Sequence, residues 1–112
     1  MSAITSHVLD TSLGQPAASV AVTLSVREGS AFVELGRGLT DRDGRVKQLL
    51  GESALIAGLY RLSFEIGAHY RASGRESFYE QIEIQFHVSD PSQHYHVPLL
   101  LSPFGYSTYR GS

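Results

Sequence analysis

Hydrophobic and polar residues alternate with a period of two along most of this chain. Every second residue is apolar in three segments: SVAVTLSV at 19–26, YRLSFEI at 60–66 and QIEIQFHV at 81–88. Weaker alternation marks five more segments, at 4–10, 31–36, 45–50, 95–101 and 104–110. Successive side chains of a strand point to opposite faces, so this pattern predicts half-buried β-strands with one face on a core.

Turn-forming residues lie between these segments. SLGQP at 12–16 separates the first two predicted strands, and DRDG at 41–44 comes directly before Arg45. Gly58 and Gly67 bracket the fifth predicted strand. Glycine, proline and aspartate favour tight turns, which supports a series of short strands joined by short connections.

One stretch, AHYRASGRES, breaks the alternation. It predicts a short helix from about Ala68 to Ala72, which Gly74 would end. About eight short strands and one helix, with no repeat or linker, predict an all-β fold: a two-sheet antiparallel β-sandwich that forms one domain over residues 1–112.

Composition excludes several classes of function. The net charge is −2, with 9 Lys and Arg against 11 Asp and Glu and no basic block, so nucleic-acid binding is not expected. The absence of cysteine excludes disulfides, thiolate metal clusters and a cysteine nucleophile. The first ten residues do not resemble a secretory signal, and no apolar stretch reaches membrane-spanning length. We therefore expect a cytoplasmic protein without membrane contact.

His94 and His96 are two positions apart on a presumed strand, so their side chains point to the same face. Such a pair can supply two zinc ligands, and the third ligand could come from His7, His69, His87 or a carboxylate. Spacing alone leaves this zinc hypothesis open beside the commoner arrangement, in which one histidine is on the surface and the other is a satisfied interior residue.

A second combination of residues is suited to the addition of water to a carbonyl group. A neutral imidazole of His7 or His96 can accept a proton from water, because its pKa is near working pH. The guanidinium of Arg45 can stabilise a developing oxyanion through two parallel hydrogen bonds. No serine lies in a Gly-x-Ser-x-Gly segment, which favours direct attack by water.

Three segments resemble a known family: SHVLDTSLGQPA at 6–17, DGRV at 43–46 and HYHVPLLLSPFGYSTYRGS at 94–112. They are similar to the transthyretin-related proteins that hydrolyse 5-hydroxyisourate. The final Tyr109-Arg110-Gly111-Ser112 is the hallmark that distinguishes these enzymes from transthyretin, the hormone carrier. The similarity extends from about Ile4 to Ser112.

The resemblance implies a transthyretin-like hydrolase domain with eight strands and one short helix. It also implies a homotetramer with two-fold symmetry, in which active sites lie at the dimer–dimer interface in a central channel. No cofactor and no metal are expected. The partner is then a small purine-derived substrate.

The resemblance further implies residue roles. Four residues match the family's catalytic positions: His7, Arg45, His96 and Ser112. Three more would shape the pocket and bind substrate: Tyr109, Arg110 and Gly111. The implied reaction opens the six-membered ring of 5-hydroxyisourate with water, giving 2-oxo-4-hydroxy-4-carboxy-5-ureidoimidazoline on the route from urate to allantoin. Which histidine is the base stays open. The alternative is a non-catalytic small-ligand carrier of the transthyretin type.

Overall fold

Two β-sheets pack face to face in the computed structural model, which describes residues 3–112. The strands are β1 (Ile4–Asp10), β2 (Gln15–Pro16), β3 (Ala21–Glu28), β4 (Ala31–Leu39), β5 (Arg45–Val46), β6 (Gly58–Glu65), β7 (Gln81–Val88), β8 (Tyr95–Ser102) and β9 (Gly105–Thr108). One sheet has the order β2-β1-β8-β9, with β5 also paired to β1, and the other has the order β4-β3-β6-β7. The predicted all-β, two-sheet sandwich is confirmed.

The alternating apolar residues form the core between the sheets. Their side chains are fully or almost fully buried at Val20, Val22, Leu24, Tyr60, Leu62, Phe64, Ile82, Leu99 and Leu101. The buried residues belong to one hydrophobic cluster. The period-two pattern therefore identified the inward faces correctly, since a half-buried strand turns every second side chain to the core.

Helix α1 (Ile66–Ala72) has seven residues and lies in the connection between β6 and β7, which belong to the same sheet. It begins two residues earlier than predicted, because Ile66 turns into the core as a helical residue and does not continue the strand. Gly74, at a φ of 71°, adopts the left-handed conformation just after the helix, as expected for a helix stop. No helix of the described residues is long and apolar enough to cross a membrane.

The strand predicted at 45–50 is wrong after Val46. The chain leaves the sheet there and buries Leu49 and Leu50 in the core. The carbonyl group of Leu49 occupies the place that a side chain on Gly36 would need, so the missing Cβ of Gly36 permits this close approach. The segment predicted at 104–110 is also shorter, since β9 ends at Thr108.

The pairing of β1 with β8 is parallel, from Ile4 opposite Tyr95 to Asp10 opposite Leu101. The sandwich is thus not wholly antiparallel. Parallel neighbours need a long connection, which the whole of the second sheet supplies here. This pairing brings the first strand of the chain beside its most histidine-rich segment.

A buried carboxylate fastens the far end of β1. Asp10 is only 2% exposed and accepts hydrogen bonds from Nη2 of Arg75 at 2.6 Å and from the backbone N–H of Ser12 at 3.0 Å. Burial by itself would raise the pKa of Asp10, but the hydrogen bonds from Ser12 and Arg75 outweigh it and hold this pKa below its usual value. The network ties β1 to the segment that follows α1.

Candidate active site

Four segments that are distant in sequence meet on the outer face of the β1-containing sheet. In β1, Ile4, Ser6 and Val8 are buried, so Thr5 and His7 project from the opposite face. The register places Thr5 beside His96 of β8 and His7 beside Arg45 of β5. Because neighbouring residues of a sheet share a face, these four side chains form one polar surface.

The predicted turn before Arg45 positions this arginine. Asp41 accepts hydrogen bonds from the backbone N–H groups of Asp43 at 2.9 Å and Arg45 at 3.0 Å. Gly44 has a φ of 78°, and its carbonyl oxygen accepts a hydrogen bond from the N–H of Val8 at 2.7 Å. The DRDG segment thus fastens β5 to β1, and Arg45 follows directly from this anchor.

The last residues of the chain approach His96 from the other side. The N–H of Gly111 donates a hydrogen bond to the carbonyl oxygen of His96 at 2.8 Å. A Cβ added to Gly111 would lie 2.7 Å from Cδ2 of His96 and 3.3 Å from Cγ of Pro98. Glycine is therefore the residue that lets the backbone rest against the imidazole.

These segments enclose an open cleft of about 330 Å³. It is lined by Thr5, Ser6, Arg45, Lys47, His94, His96 and Ser112. Its volume is at the lower end of the range of small-molecule sites, about 300–1,000 Å³, and nearly all of its lining side chains are polar. The cleft suits a small, polar ligand.

The cleft unites three of the four predicted catalytic residues: Arg45, His96 and Ser112. His7 stands next to Arg45 but does not line the cleft, and its Nε2 donates a hydrogen bond to the carbonyl oxygen of Asp43 at 2.7 Å. A carbonyl oxygen only accepts, so Nε2 of His7 carries a proton. His7 thus supports the turn that leads into Arg45.

The three predicted substrate-binding residues divide between two places. Gly111 packs on His96, whereas Tyr109 and Arg110 line a separate, mainly apolar cavity of about 240 Å³ between β7 and β8. The guanidinium of Arg110 lies 4.4 Å from the centre of the Tyr95 ring and donates to the carbonyl oxygen of His94 at 3.2 Å. Within one chain, Arg110 therefore braces the start of β8.

The environment of His96 lowers its pKa below the ordinary value. Burial is the largest cause, followed by the positive charge of Arg45 and by unfavourable electrostatic interactions with His94 and His7. All of these disfavour the imidazolium. The imidazole of His96 is consequently neutral at pH 7, in the form that can accept a proton.

The two histidines of the zinc hypothesis do lie side by side. Their rings are stacked with centroids 6.4 Å apart, and one nitrogen of each faces Oγ1 of Thr5. Among residues 3–112, no three histidine, cysteine, aspartate or glutamate side chains are grouped so as to hold a metal ion.

Sequence reasoning did not single out Thr5 or Lys47 as site residues, yet both line the cleft. A signal was present for each. Thr5 is two residues before His7 and Lys47 is two residues after Arg45, so both share a face with a predicted catalytic residue. The same rule that paired His94 with His96 would have found them.

The fold and this polar face define a transthyretin-type sandwich with a histidine and arginine site on one sheet. The model of the HIUase/Transthyretin family matches residues 4–111, and the chain belongs to this family. A 5-hydroxyisourate hydrolase of Caulobacter vibrioides is 48% identical over 116 aligned residues, which cover 100% of both chains.

Solved structures of two kinds share the fold. The 5-hydroxyisourate hydrolase of Klebsiella pneumoniae has a TM-score of 0.86 at 40% identity, covering 100% of both chains. Sea bream transthyretin in complex with thyroxine has a TM-score of 0.91 at 32% identity, covering 97% of this chain and 94% of that chain. An enzyme and a ligand-binding protein thus share one architecture, so the side chains of the site must separate the two functions.

Proposed function

We propose that this chain, acting as one hydrolase domain over residues 1–112, hydrolyses 5-hydroxyisourate, the substrate in the names of the Caulobacter and Klebsiella relatives. The observation that carries this proposal is the neutral imidazole of His96 in one cleft with the guanidinium of Arg45. A base beside a fixed positive charge is what the addition of water to a carbonyl group requires.

The proposed reaction proceeds by direct attack of water. The water oxygen bonds to a carbonyl carbon of the six-membered ring, and the adjacent ring C–N bond breaks. His96 accepts one proton from the water, and this proton then passes to the departing nitrogen. These steps give the carboxyl group and the ureido group of 2-oxo-4-hydroxy-4-carboxy-5-ureidoimidazoline, on the route from urate to allantoin; the carboxyl group then releases its remaining proton to solvent.

The other residues take roles that follow from their positions. Arg45 holds the substrate oxygens and stabilises the charge that develops at the attacked carbonyl. His7 steadies the turn before Arg45, and the Ser112 hydroxyl orients water or substrate in the cleft. Gly111 and Arg110 fix the ring of His96 and the start of β8, respectively.

The test is to generate 5-hydroxyisourate with urate oxidase and follow its ultraviolet absorbance with and without the protein. We expect catalytic amounts of protein to accelerate the decay. A carrier would instead bind the compound in proportion to its own concentration and leave the decay unaccelerated.

Dialysis of the protein against a chelator is expected to leave the rate of hydrolysis unchanged. Loss of activity after this treatment would support the zinc hypothesis.

The assembly we propose is the homotetramer, with sites at the dimer–dimer interface. The cleft is open on a single chain, and large apolar side chains such as Leu13 and Phe104 are 54% and 64% exposed. Such surface is typical of an interface between copies of a chain. Light scattering should give four times the chain mass of 12.2 kDa. A fully active monomer would contradict this assembly.

The cytoplasmic location of the protein stays a prediction.

The pH dependence of hydrolysis follows from the pKa of His96. Since burial, Arg45, His94 and His7 lower this pKa, the base stays neutral to a lower pH than a free histidine with its value of about 6.5. Hydrolysis is therefore expected to be maximal at pH 7 and to fall only as the pH drops through the lowered pKa, below about 6.5. Plotting kcat/KM against pH checks this. The acidic limb of this plot is the range in which kcat/KM falls as the pH decreases. An acidic limb that begins above about pH 6.5 would show that another group is the base.

A further inference from the structure

A single hydroxyl group lies between His96 of β8 and His94, the residue just before β8. Oγ1 of Thr5 is 2.7 Å from Nδ1 of His96 and 3.1 Å from Nε2 of His94. The parallel register places Thr5 directly beside His96, and the spacing of two residues brings the ring of His94 to the same face. The backbone pairing of β1 with β8 therefore fixes this arrangement of three side chains.

The hydroxyl group has one proton to donate and two lone pairs, so it can accept from both rings, or accept from one ring and donate to the other. His96 donates from Nδ1 in two of these arrangements, in which the hydroxyl group either donates to His94 or accepts from it. In the remaining arrangement the hydroxyl group donates to His96. A neutral His96 that donates from Nδ1 has an unprotonated Nε2, which can accept a proton.

The surroundings of His96 favour donation from its Nδ1. An interaction with the Thr5 backbone raises the pKa of His96, so it stabilises the protonated ring, as a hydrogen-bond acceptor does. An acceptor requires a protonated nitrogen on the side of the ring that faces Thr5. Within the described residues, Nδ1 is the nitrogen of His96 with a hydrogen-bond partner, and Nε2 has none.

We propose that the Thr5 hydroxyl, as the acceptor of the Nδ1–H of His96, holds His96 in the tautomer whose Nε2 is free, and so makes His96 the general base. Thr5 is then a positioning residue, since it acts through His96. This inference rests on the proposed hydrolysis and deepens it. It assigns the base to His96, which lines the cleft, and not to His7, which lies outside it with its Nε2 directed at Asp43.

The chain of hydrogen bonds also responds to charge. When His96 accepts a proton at Nε2, its Nδ1–H becomes a stronger donor to Oγ1. The groups facing His96 are His7 of β1, Arg45 of β5, Lys47 after β5, His94 just before β8, and Ser112. Removing the Thr5 hydroxyl removes an acceptor that favours the imidazolium, so the acidic limb of the pH profile should move to lower pH.

The test compares Thr5→Val, which keeps the shape and loses the hydroxyl, with Thr5→Ser, which keeps the hydroxyl. Thr23→Val, at a half-buried position on β3 of the other sheet, is the matched control. We expect Thr5→Val to lower kcat about 10- to 100-fold and to shift the acidic limb downward, as for removal of an outer-shell partner of a functional histidine. Thr5→Ser should stay within a few-fold of wild type. A loss in Thr5→Val with an unmoved acidic limb would mean a merely structural role.

A second readout does not depend on activity. Nitrogen-15 NMR of the histidine side chains reports which ring nitrogen carries the proton. The wild-type protein should show His96 protonated at Nδ1 at neutral pH, and Thr5→Val should lose this preference. Protonation at Nε2 in wild type would overturn the inference. If the protein failed to hydrolyse 5-hydroxyisourate while His96 kept the Nδ1–H form, the proposed function would fail and the tautomer assignment would stand.

Discussion

Replacing His96 with alanine is expected to lower kcat for 5-hydroxyisourate about 10²- to 10⁴-fold, which is the usual contribution of a general base. The imidazole of His96 lines the cleft with Arg45, and burial and nearby charges keep it neutral. Alanine removes the proton acceptor and leaves the strand intact. The measurement is the absorbance decay of freshly made substrate, with kcat and KM determined separately.

His87→Ala is the matched control for this loss. His87 is exposed on β7, in the sheet that does not carry the cleft, so its removal should leave kcat unchanged. Circular dichroism should show the same β-structure in both variants. If His96→Ala kept more than about a tenth of wild-type kcat, His96 would not be the base, and His7→Ala would become the decisive variant.

Removal of Tyr109–Ser112 is expected to abolish measurable hydrolysis while the sandwich stays folded. The deletion takes away the Gly111 backbone that rests on His96, its hydrogen bond to the His96 carbonyl group and the Ser112 side of the cleft. A displacement of about 1 Å at a catalytic group already costs about 10²-fold in rate. None of the four residues belongs to the buried core, so most of the stability should remain.

A point variant separates the contact from the length of the chain. In Gly111→Ala the added Cβ would come within 2.7 Å of Cδ2 of His96, so the ring or the strand must shift. Gly29→Ala is not a suitable control, because Gly29 has a φ of 65°, so we choose Gly105→Ala, where an added Cβ meets only Ser102 at 3.7 Å. We expect a large loss of kcat in the first variant and little in the second. Unimpaired activity of the shortened chain would show that the last residues are not part of the site.

Prediction from sequence succeeded where the controlling interaction is local. The alternation of Val20, Val22 and Leu24 identified an inward face, and the spacing of His94 and His96 placed two rings side by side. It failed where a distant contact overrides the local pattern. The strand predicted at 45–50 stops after Val46 because the core takes in Leu49 and Leu50.

The residues of the site were recognised by resemblance, and their arrangement was not deducible from spacing. Nothing in the order of residues says that Tyr109 and Arg110 face another cavity, or that His7 turns its Nε2 to Asp43. Thr5 was not among the predicted site residues. Its place between two imidazoles depends on the strand that lies beside it.

The sequence by itself determined which face of the alternating strands is buried and which is exposed to solvent, because the two-residue period of a strand is a property of the backbone. It also determined the DRDG turn before Arg45, since the residue types set the local backbone conformation. Only the tertiary structure decided that β1 lies parallel to β8 and next to β5. That choice depends on how buried faces pack across the whole chain, and it is what brings Arg45, His96 and Thr5 to one cleft.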